Sequence, residues 1–159
     1  MTTHEMLRKE RELSEAEAYR ILAQGGDGVL ATMGGDGYPY AVPMNHVLAE
    51  GALYLHCAQQ GHKLENLGFC DKVSYCVVTR RQVLPAELST QYESAVVFGA
   101  ATRVEDPAEK RRGLLALLQR FAPNHMEKGL QALELDFERT AVLRIDIHRI
   151  TGKARPKPE

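Results

Sequence analysis

The chain has 159 residues, of which 44% are hydrophobic and 26% are charged, and its formal net charge is −1. This length suits one domain with a sizeable core. The near-neutral net charge gives no overall electrostatic attraction to nucleic acid or to an acidic membrane. No segment approaches the roughly 18 consecutive apolar residues of a membrane-spanning helix.

The cysteines and the chain ends indicate a cytoplasmic protein. The chain has three cysteines, Cys57, Cys70 and Cys76, an odd number with irregular spacing. The first residues lack the apolar region of a signal peptide. We therefore expect reduced thiols and a single domain over residues 1–159. Residues 1–12 are expected to form an N-terminal arm and residues 154–159 a flexible tail.

The first half of the chain predicts a helix followed by three strands. In "LSEAEAYRILAQGG", Ser14 and Glu17 have the spacing of a capping box, and the Gly25-Gly26 pair ends the helix. "GVLATM", "YPYAVPMNHVLA" and "ALYLHCA" then read as strands separated by turns at "GGDG" (34–37) and "EG" (50–51). A short helix is expected over roughly 62–69.

The second half predicts three more strands and two helices. "KVSYCVVT", "SAVVFGAATRVE" with a bend or bulge at Gly99, and "TAVLRIDIHRIT" read as strands. Residues 81–93 read as a long connection, and a loop of that length is typically functional. "DPAEKRRGLLALLQRFAP" predicts a helix with an Asp106–Glu109 capping box, and "MEKGLQALEL" a weaker one. The apolar stripe of the first of these helices is Leu114, Leu117, Leu118 and Phe121.

These elements predict a fold that is mainly β with flanking helices. Six short strands linked mostly by hairpins form an antiparallel sheet, and such a sheet commonly curls into a barrel to remove its edges. The fold class expected is therefore a six-stranded antiparallel β-barrel with the helices outside it.

The stretch "LYLHCAQQGHKLENL" (53–67) could bind either a metal or an anion. His56 and Cys57 are adjacent on a predicted strand, where successive side chains point to opposite faces, so they cannot easily share one metal ion. Gly61 instead lets the backbone approach a ligand, and the first turn of the following helix presents unpaired N–H groups. With Lys63 in that turn, the segment favours a phosphate cradle, the alternative being a capped helix with an exposed lysine.

A second candidate segment is "YPYAVPMNHV". Pro39 and Pro43 lie within one predicted strand, and proline is normally confined to edge strands or bulges. The backbone at Val42, Met44 and Asn45 could therefore meet a flat, hydrogen-bonding ring. A plain edge strand explains the two prolines equally well.

With these motifs in view, the chain resembles the FMN-binding split-barrel proteins related to pyridoxamine 5′-phosphate oxidase, and among them the nitroimidazole-resistance (Nim-type) proteins. The blocks that carry the resemblance run in order along nearly the whole chain: "RKERELSEAEA", "YPYAVPMN", "LYLHCAQQGHKL", "YESAVVFGAATRVEDPAEKR", "FAPNH" and "ITGKA".

The resemblance implies a split barrel that forms a homodimer with FMN at the subunit interface. Lys63 matches the phosphate-binding lysine of the family. The other implied cofactor-binding residues are Pro43, Met44, Asn45, His56, Cys57, Ala58, Gly61 and His62, together with Ser94, Thr151, Gly152 and Lys153 from the partner chain.

Some positions depart from the family pattern. His46 stands where relatives commonly carry Tyr or Phe, and this predicts an altered environment for the flavin ring. Cys57 replaces a small residue such as Ser or Gly. The arginine-rich phosphate strand and C-terminal substrate tail of pyridoxamine-phosphate oxidases are absent from the sequence, which argues against vitamin B6 synthesis.

The expected function is that of an FMN-dependent oxidoreductase passing electrons from a reduced nicotinamide nucleotide to a small acceptor such as a nitroaromatic. No Gly-x-Gly-x-x-Gly element follows a strand, so the nicotinamide would bind transiently. His56 either holds the cofactor or donates a proton. The rivals are a non-catalytic flavin or haem binder, with His46, His56 or His148 as axial ligand, and a deazaflavin-dependent reductase.

Overall fold

The computed structural model describes residues 4–155, so residues 1–3 of the expected arm and 156–159 of the expected tail lie outside the described residues. Within them, four α-helices accompany one antiparallel sheet of eight strands. The helices are α1 (Glu15–Gln24), α2 (His62–Phe69), α3 (Pro107–Phe121) and α4 (Met126–Asp136). The strands are β1 (Glu12–Leu13), β2 (Asp27–Met33), β3 (Pro39–Asn45), β4 (Val47–Ala49), β5 (Ala52–Ala58), β6 (Lys72–Leu84), β7 (Ser89–Arg103) and β8 (Thr140–Arg155).

The sheet confirms a mainly β fold with flanking helices, although its strand count differs from six. The strand order is β3-β2-β6-β7-β8-β5-β4, and the short β1 pairs with β8. The β7–β8 register shifts between Phe98 and Gly99, which confirms the predicted irregularity at Gly99. A Cβ at Gly99 would lie 2.2 Å from the Asp146 carbonyl oxygen, so this close approach of two backbones requires glycine.

The second predicted strand is in fact two strands, which lie at opposite edges of the sheet. β3 pairs with β2, whereas β4 pairs with β5, and the chain turns between them at His46. The His46 backbone N–H bonds to the carbonyl oxygen of Gly26 at 3.0 Å instead of continuing the ladder. Because the run "YAVPMNHVLA" contains no glycine at this point, the sequence offers no signal for the break.

The predicted long connection at 81–93 is also wrong. β6 and β7 continue past a register shift between Val78 and Arg80 and pair as far as Leu84 and Ser89. A 3-10 turn at Pro85–Glu87 and a left-handed Leu88 close this hairpin. Most side chains of the segment are exposed or half-buried, so the alternation of polar and apolar residues that marks a strand is missing.

The inner face of the sheet holds the main core. Leu30, Tyr75, Val97 and Leu143 from four strands are fully buried there. Helix α1 fills this face with Ala18, Ile21 and Leu22, and its predicted capping box is present, with Ser14 N to Glu17 Oε2 at 2.9 Å and Glu17 N to Ser14 Oγ at 3.3 Å. Leu64 and Leu67 of α2 pack against the same core.

Helices α3 and α4 cover part of the outer face. Tyr54 and Val142 form a second core cluster there, with Leu114 of α3 packed against it. Asp106 caps α3 as predicted, because its carboxylate accepts from Glu109 N at 2.9 Å. The reciprocal half of the predicted box is missing, since the Glu109 carboxylate instead accepts from the Tyr54 hydroxyl at 3.0 Å.

The remaining outer face, over β2, β6 and β7, has no covering element among the described residues and is largely apolar. Val29, Met33 and Val78 are 40%, 38% and 53% exposed. The register aligns Val29 with Cys76 and Cys76 with Val96, so these side chains form one row across the sheet. We refer to this surface as the open face. No helix within residues 4–155 has the length and apolarity to cross a membrane, and the cytoplasmic location and single-domain organisation stay predictions.

His46 is fully buried and joins three elements at one end of the inner face. Its Nε2–H donates to the Leu22 carbonyl oxygen at the end of α1, at 2.9 Å. Its Nδ1 lies 2.9 Å from the Tyr75 hydroxyl, which also lies 2.6 Å from the Met44 carbonyl oxygen. Burial lowers the pKa of His46, so the imidazole is neutral near pH 7.

We expect His46→Leu to lower the free energy of unfolding by about 1–3 kcal/mol, because the buried Leu22 carbonyl loses its donor. The variant should also lose less stability between about pH 7.5 and 5.5 than the parent protein does. The lowered pKa means that, below the usual value of 6.5, the unfolded chain binds a proton that the folded chain does not. Urea unfolding at several pH values measures both effects.

The matched control is His125→Leu, which changes an exposed histidine in the turn before α4. It should leave both the stability at neutral pH and its pH dependence nearly unchanged. A pH dependence that is the same in the parent protein and in His46→Leu would contradict the assignment of a buried, neutral His46.

Candidate functional site

Alternation along β5 divides the first candidate segment between the two faces of the sheet. Leu53, Leu55 and Cys57 point into the main core, whereas His56 and Ala58 point to the outer face. The side chains of His56 and Cys57 therefore point to opposite faces, as strand alternation predicted, so they do not converge on one metal ion. Burial raises the pKa of the Cys57 thiol. Because the thiol points into the core, only the backbone of Cys57 could contact a ligand on the outer face.

The loop after β5 leads into the N-terminus of α2, which has no side-chain cap. Gly61 has φ 134°, in the region that only glycine adopts readily, and a Cβ there would meet nothing within 4 Å. Its carbonyl oxygen accepts from Leu64 N at 2.8 Å and from Glu65 N at 3.2 Å. Helix geometry leaves the N–H groups of His62 and Lys63 without an intrahelical partner, so they are available to an anion.

The side chains of His62 and Lys63 have different surroundings. The His62 ring packs against Tyr40 of β3, with ring centroids 4.1 Å apart, and so helps to hold α2 on the sheet. Lys63 is half-buried and forms no ion pair with any carboxylate of residues 4–155. The first turn of α2 therefore combines backbone donors with a full positive charge.

Gln59 anchors this loop to the junction between α4 and β8. Its amide nitrogen donates to the carbonyl oxygens of Glu138 at 2.7 Å and Thr140 at 3.0 Å. Its amide oxygen accepts from Arg103. Both polar groups of the Gln59 side chain are thus used to hold the loop that leads into Gly61. The sequence could not reveal this role, because its backbone partners lie about eighty residues away in the chain.

A cleft of about 330 Å³ lies between α3, α4 and the outer face of the sheet. Asn45 at the end of β3 and His56 on β5 both line it, although their strands are not neighbours in the sheet. The curl of the sheet brings them together. The other lining residues are Leu114, Leu117, Leu118, Phe121, Ala122, Gly129, Ala132, Leu133, Asp136 and Thr140.

The cleft suits a mainly apolar ligand. Three polar residues, Asn45, His56 and Thr140, lie on its sheet side, and Asp136 lies at the end of α4. Although much of His56 is exposed, burial of part of its ring lowers its pKa, and the neutral imidazole can donate one hydrogen bond. Sequence analysis identified Asn45 and His56 but missed Thr140 and Asp136, which no motif marks. The apolar stripe of α3 was predicted, but the pattern alone could not show that it lines a cleft.

The proline-containing strand is an edge strand, as its two prolines indicated. β3 ends the strand order, and Pro43 and Asn45 are exposed on the outer face. Met44 is 8% exposed and points into the core, so only its backbone could meet a ligand. His46, which was expected to alter the surroundings of a bound ring, is instead used inside the core and does not reach the cleft.

The four residues expected from a partner chain lie on β7 and β8, apart from the cleft of their own chain. Ser94 pairs with Lys153 in the register, and its hydroxyl donates to the Lys153 carbonyl oxygen at 3.4 Å. Thr151 follows Val96 in the row that continues the open face. Gly152 instead points inward, where a Cβ would lie 3.0 Å from the Cβ atoms of Ala18 and Leu13.

Two other ligand types were considered from the sequence. No group of three or more His, Cys, Asp or Glu side chains within residues 4–155 could hold a metal ion. Of the three histidines considered as haem ligands, His46 has both ring nitrogens occupied and His148 lines a separate cleft of about 560 Å³ on the open face. Only His56 faces the cleft between the sheet and the helices.

Comparison with known proteins identifies a family and a shared fold. A family model described as pyridoxamine 5′-phosphate oxidase matches residues 14–154. No curated protein is significantly similar in sequence.

Solved structures similar to the chain include a proposed 5-nitroimidazole antibiotic resistance protein from Bacteroides thetaiotaomicron, 22% identical with a TM-score of 0.72, covering 89% of this chain and 85% of that one. An FAD-binding protein from Mesorhizobium loti is 22% identical with a TM-score of 0.67, covering 91% of this chain and 97% of that one. An FAD- and haem-binding protein from Mycobacterium smegmatis is 21% identical with a TM-score of 0.76, covering 94% and 77%. These similarities show that the fold is shared.

We expect Gly61→Ala to lower the free energy of unfolding by about 1–3 kcal/mol, because alanine must adopt a strained positive φ there. Gly68→Ala, in the short helix that Gly61 precedes, is the matched control. A Cβ at Gly68 would meet nothing within 4 Å, and its φ is not positive. This control should be neutral, or stabilising by up to about 1 kcal/mol. Urea unfolding decides, and equal losses in both variants would contradict the strained role of Gly61.

Proposed function

The chain belongs to the pyridoxamine 5′-phosphate oxidase family, and on this basis we propose that it is an FMN-binding oxidoreductase of the nitroreductase type. The membership agrees with the resemblance drawn from the sequence, and the similar structures include the nitroimidazole-resistance type. The proposed reaction passes electrons from a reduced nicotinamide nucleotide to a small acceptor.

The observation that carries the proposal is the N-terminus of α2. Gly61, the free N–H groups of the first turn and the Lys63 ammonium, which has no ion pair among residues 4–155, together form an anion site at the end of β5. Phosphate is one of the anions that such a helix start binds. The strand that leads into this turn carries His56 and Ala58 on its outer face, beside the cleft. Phosphate site and cleft are therefore joined by one short stretch of chain.

The residues present fit the two ends of FMN. The anion site suits the phosphate, and the edge strand at Pro43, Met44 and Asn45 suits the polar rim of a flavin ring. A cleft of about 330 Å³ lies at the low end of ligand pockets, which span roughly 300–1,000 Å³. One chain thus offers part of the enclosure that a flavin needs, which supports a site completed by a second chain.

Within this proposal, bound flavin would supply the electron transfer and the protein would supply binding and surroundings. Lys63 and the α2 N–H groups neutralise the phosphate charge. Partial burial lowers the pKa of His56, so its neutral imidazole acts as a hydrogen-bond donor beside the cleft. Leu114 and Leu117 of α3 keep bulk water from the space next to it. The donation of a proton by His56 during turnover is part of the proposal.

The second part of the proposal is a homodimer formed through the open face. A row of apolar side chains runs across β2, β6 and β7, and its members are exposed or half-buried in one chain. Contiguous exposed apolar surface of this kind marks interaction sites. Ser94, Thr151 and Lys153 lie at the β7–β8 end of the same surface, so a second chain docked there would contribute them to the neighbouring site.

Haem remains the competing cofactor because one similar structure is an FAD- and haem-binding protein. His56 is the histidine of this chain that faces the cleft and could serve as an axial ligand. Haem carries propionate carboxylates that the anion site at Gly61 and Lys63 could also bind, so it is the family membership that favours the flavin. A deazaflavin would use the same phosphate site.

The proposal is tested by titrating flavin-free protein with FMN and with riboflavin, which lacks the phosphate, and following the quenching of flavin fluorescence. We expect Lys63→Ala to weaken FMN binding by about 1.5–3 kcal/mol, or roughly 10- to 150-fold in Kd, because a charge-assisted contact is lost. Riboflavin binding should change little. Addition of a reduced nicotinamide nucleotide to the FMN-loaded protein should bleach the flavin absorbance.

The control is Lys128→Ala, which removes the same charge from the exposed surface of α4. It should leave FMN affinity unchanged. Equal losses for FMN and riboflavin in Lys63→Ala would contradict the phosphate role. A Soret band after reconstitution with haem, without FMN binding, would favour the haem alternative, and FMN binding without reduction would reject the reductase reaction.

The dimer is tested by Val78→Lys on the open face. We expect the parent protein to sediment with twice the mass of the chain and the variant to dissociate, because a lysine would place an unpaired charge in an apolar interface. Leu135→Lys is the control, since Leu135 is 81% exposed on α4. A monomeric parent protein, or a Val78→Lys variant that dimerises as strongly as the parent, would overturn the proposed interface.

A further inference from the structure

A small cavity of about 150 Å³ lies between the start of α3, the end of β7 and the junction of α4 with β8. It is separate from the cleft of the proposed flavin site, because Thr140 is the one lining residue that the two share. It is also separate from the start of α2, since its lining residues do not include Gly61, His62 or Lys63. The proposed flavin chemistry therefore does not use this cavity.

Lys110 of α3 brings a buried positive charge to the cavity. The residue is 9% exposed, and its Nζ donates to the Phe137 carbonyl oxygen at 2.5 Å and lies 4.3 Å from the centre of the Phe137 ring. An ammonium group has three N–H donors. Residues 4–155 provide neither a second hydrogen bond to it nor a carboxylate within ion-pair distance. A buried charge needs an opposite charge or hydrogen bonds to replace its hydration, and at Lys110 most of this compensation is missing.

Arg103 places a second positive charge at the cavity from the end of β7. Its Nη2 donates to Gln59 Oε1, and its Nε lies 3.2 Å from Glu105 Oε1. Among the residues described, nothing accepts a hydrogen bond from its Nη1, which is therefore available to a ligand. The side chain of Arg103 is 43% exposed, so solvent screens its charge and the buried Lys110 contributes more.

Two glutamates also line the cavity, but their carboxylates are in solvent. The Glu105 side chain is 79% exposed and already pairs with Arg103, and Glu138 is exposed as well. Water screens these negative charges more strongly than it screens the charge of Lys110. The charge that the cavity leaves uncompensated is therefore positive. Water in the cavity would supply hydrogen bonds to Lys110 but not the counter-charge.

The size and chemistry of the cavity define the anion that would fit. Pockets for drug-sized ligands span roughly 300–1,000 Å³, so a cavity of about 150 Å³ admits only a small molecule. Ammonium and guanidinium groups form charge-assisted hydrogen bonds with the oxygens of phosphate and carboxylate groups. A small anion with several oxygens can accept from Lys110 and Arg103 at the same time.

We propose that this cavity is a binding site for a small oxyanion of the size of inorganic phosphate, held by the Lys110 ammonium and oriented by Arg103. The site goes beyond the proposed function and does not depend on FMN binding. Its occupant would lie beside the side chain of Gln59, which also lines the cavity.

The test is a titration of the full chain with inorganic phosphate, followed by proton–nitrogen correlation NMR. Sodium chloride keeps the ionic strength constant, so general screening does not change during the titration. We expect the backbone amide signals of Lys110 and Ala141, which line the cavity, to shift with a Kd below about 10 mM. The amides of His62 and Lys63 report separately on the anion site at the start of α2.

Three variants assign the binding to named charges. Lys110→Met removes the charge and keeps an unbranched side chain, and it should weaken binding at the cavity at least about tenfold. Arg103→Met should weaken it at least about threefold. Lys128→Met, which removes an exposed charge from α4, is the matched control and should leave it unchanged. Circular dichroism and urea unfolding identify a variant that fails to fold, and Arg103→Met decides if Lys110→Met does so.

Lys63→Ala separates this inference from the proposed function. Shifts at the cavity amides should persist in that variant, and loss of the His62 shifts alone would concern only the proposed flavin phosphate site. The oxyanion site would be overturned if phosphate caused no shifts at the cavity amides, or if sodium chloride alone caused equal shifts at the same ionic strength. Cavity shifts that are unchanged in Lys110→Met, or that disappear in Lys63→Ala, would overturn it as well.

Discussion

The buried imidazole of His46 is the interaction on which the arrangement of the site depends. Its two ring nitrogens reach the Leu22 carbonyl of α1 and the Tyr75 hydroxyl of β6, and both partners are buried. Because His46 must point inward to make these bonds, the preceding Asn45 points outward and lines the cleft. His46 also lies between β3 and β4, where the chain crosses to the opposite edge of the sheet. One polar contact in the core thereby determines which face carries the candidate chemistry.

The two faces of the sheet have separate uses as a result. Helices α1 and α2 and the large side chains of four strands occupy the inner face and form the main core. The outer face is divided between the cleft under α3 and α4 and the open face over β2, β6 and β7. The proposed function uses both parts of the outer face, one for a small molecule and one for a second chain. The anion site at Gly61 and Lys63 lies where β5 leaves the sheet, and the fully used amide of Gln59 holds it there.

Much of the secondary structure could be predicted from local patterns, and the errors have physical causes. The capping box at Ser14, the N-cap at Asp106 and the helix over 62–69 follow from contacts within a few residues, and all three are present. The strand break at His46 and the hairpin over 81–93 could not be predicted, because the first depends on a contact with α1 and the second is a ladder with few buried side chains. The Glu109 carboxylate does not complete the predicted capping box because it accepts a hydrogen bond from the hydroxyl of Tyr54, which is 55 positions away in the chain.

For the site, the sequence by itself determined the residue types and the turn that could bind a phosphate, since a glycine before a helix with an early lysine is a local arrangement. It also determined that His56 and Cys57 face opposite ways, because strand alternation requires this. Only the tertiary structure decided that Asn45 and His56 share a cleft, that Asp136 and Thr140 join them, and that His46, Met44 and Cys57 belong to the core. The reason is that the curl of the sheet and the packing of α3 and α4 bring together strands and helices that are distant in the chain, and no local pattern encodes which of them will meet.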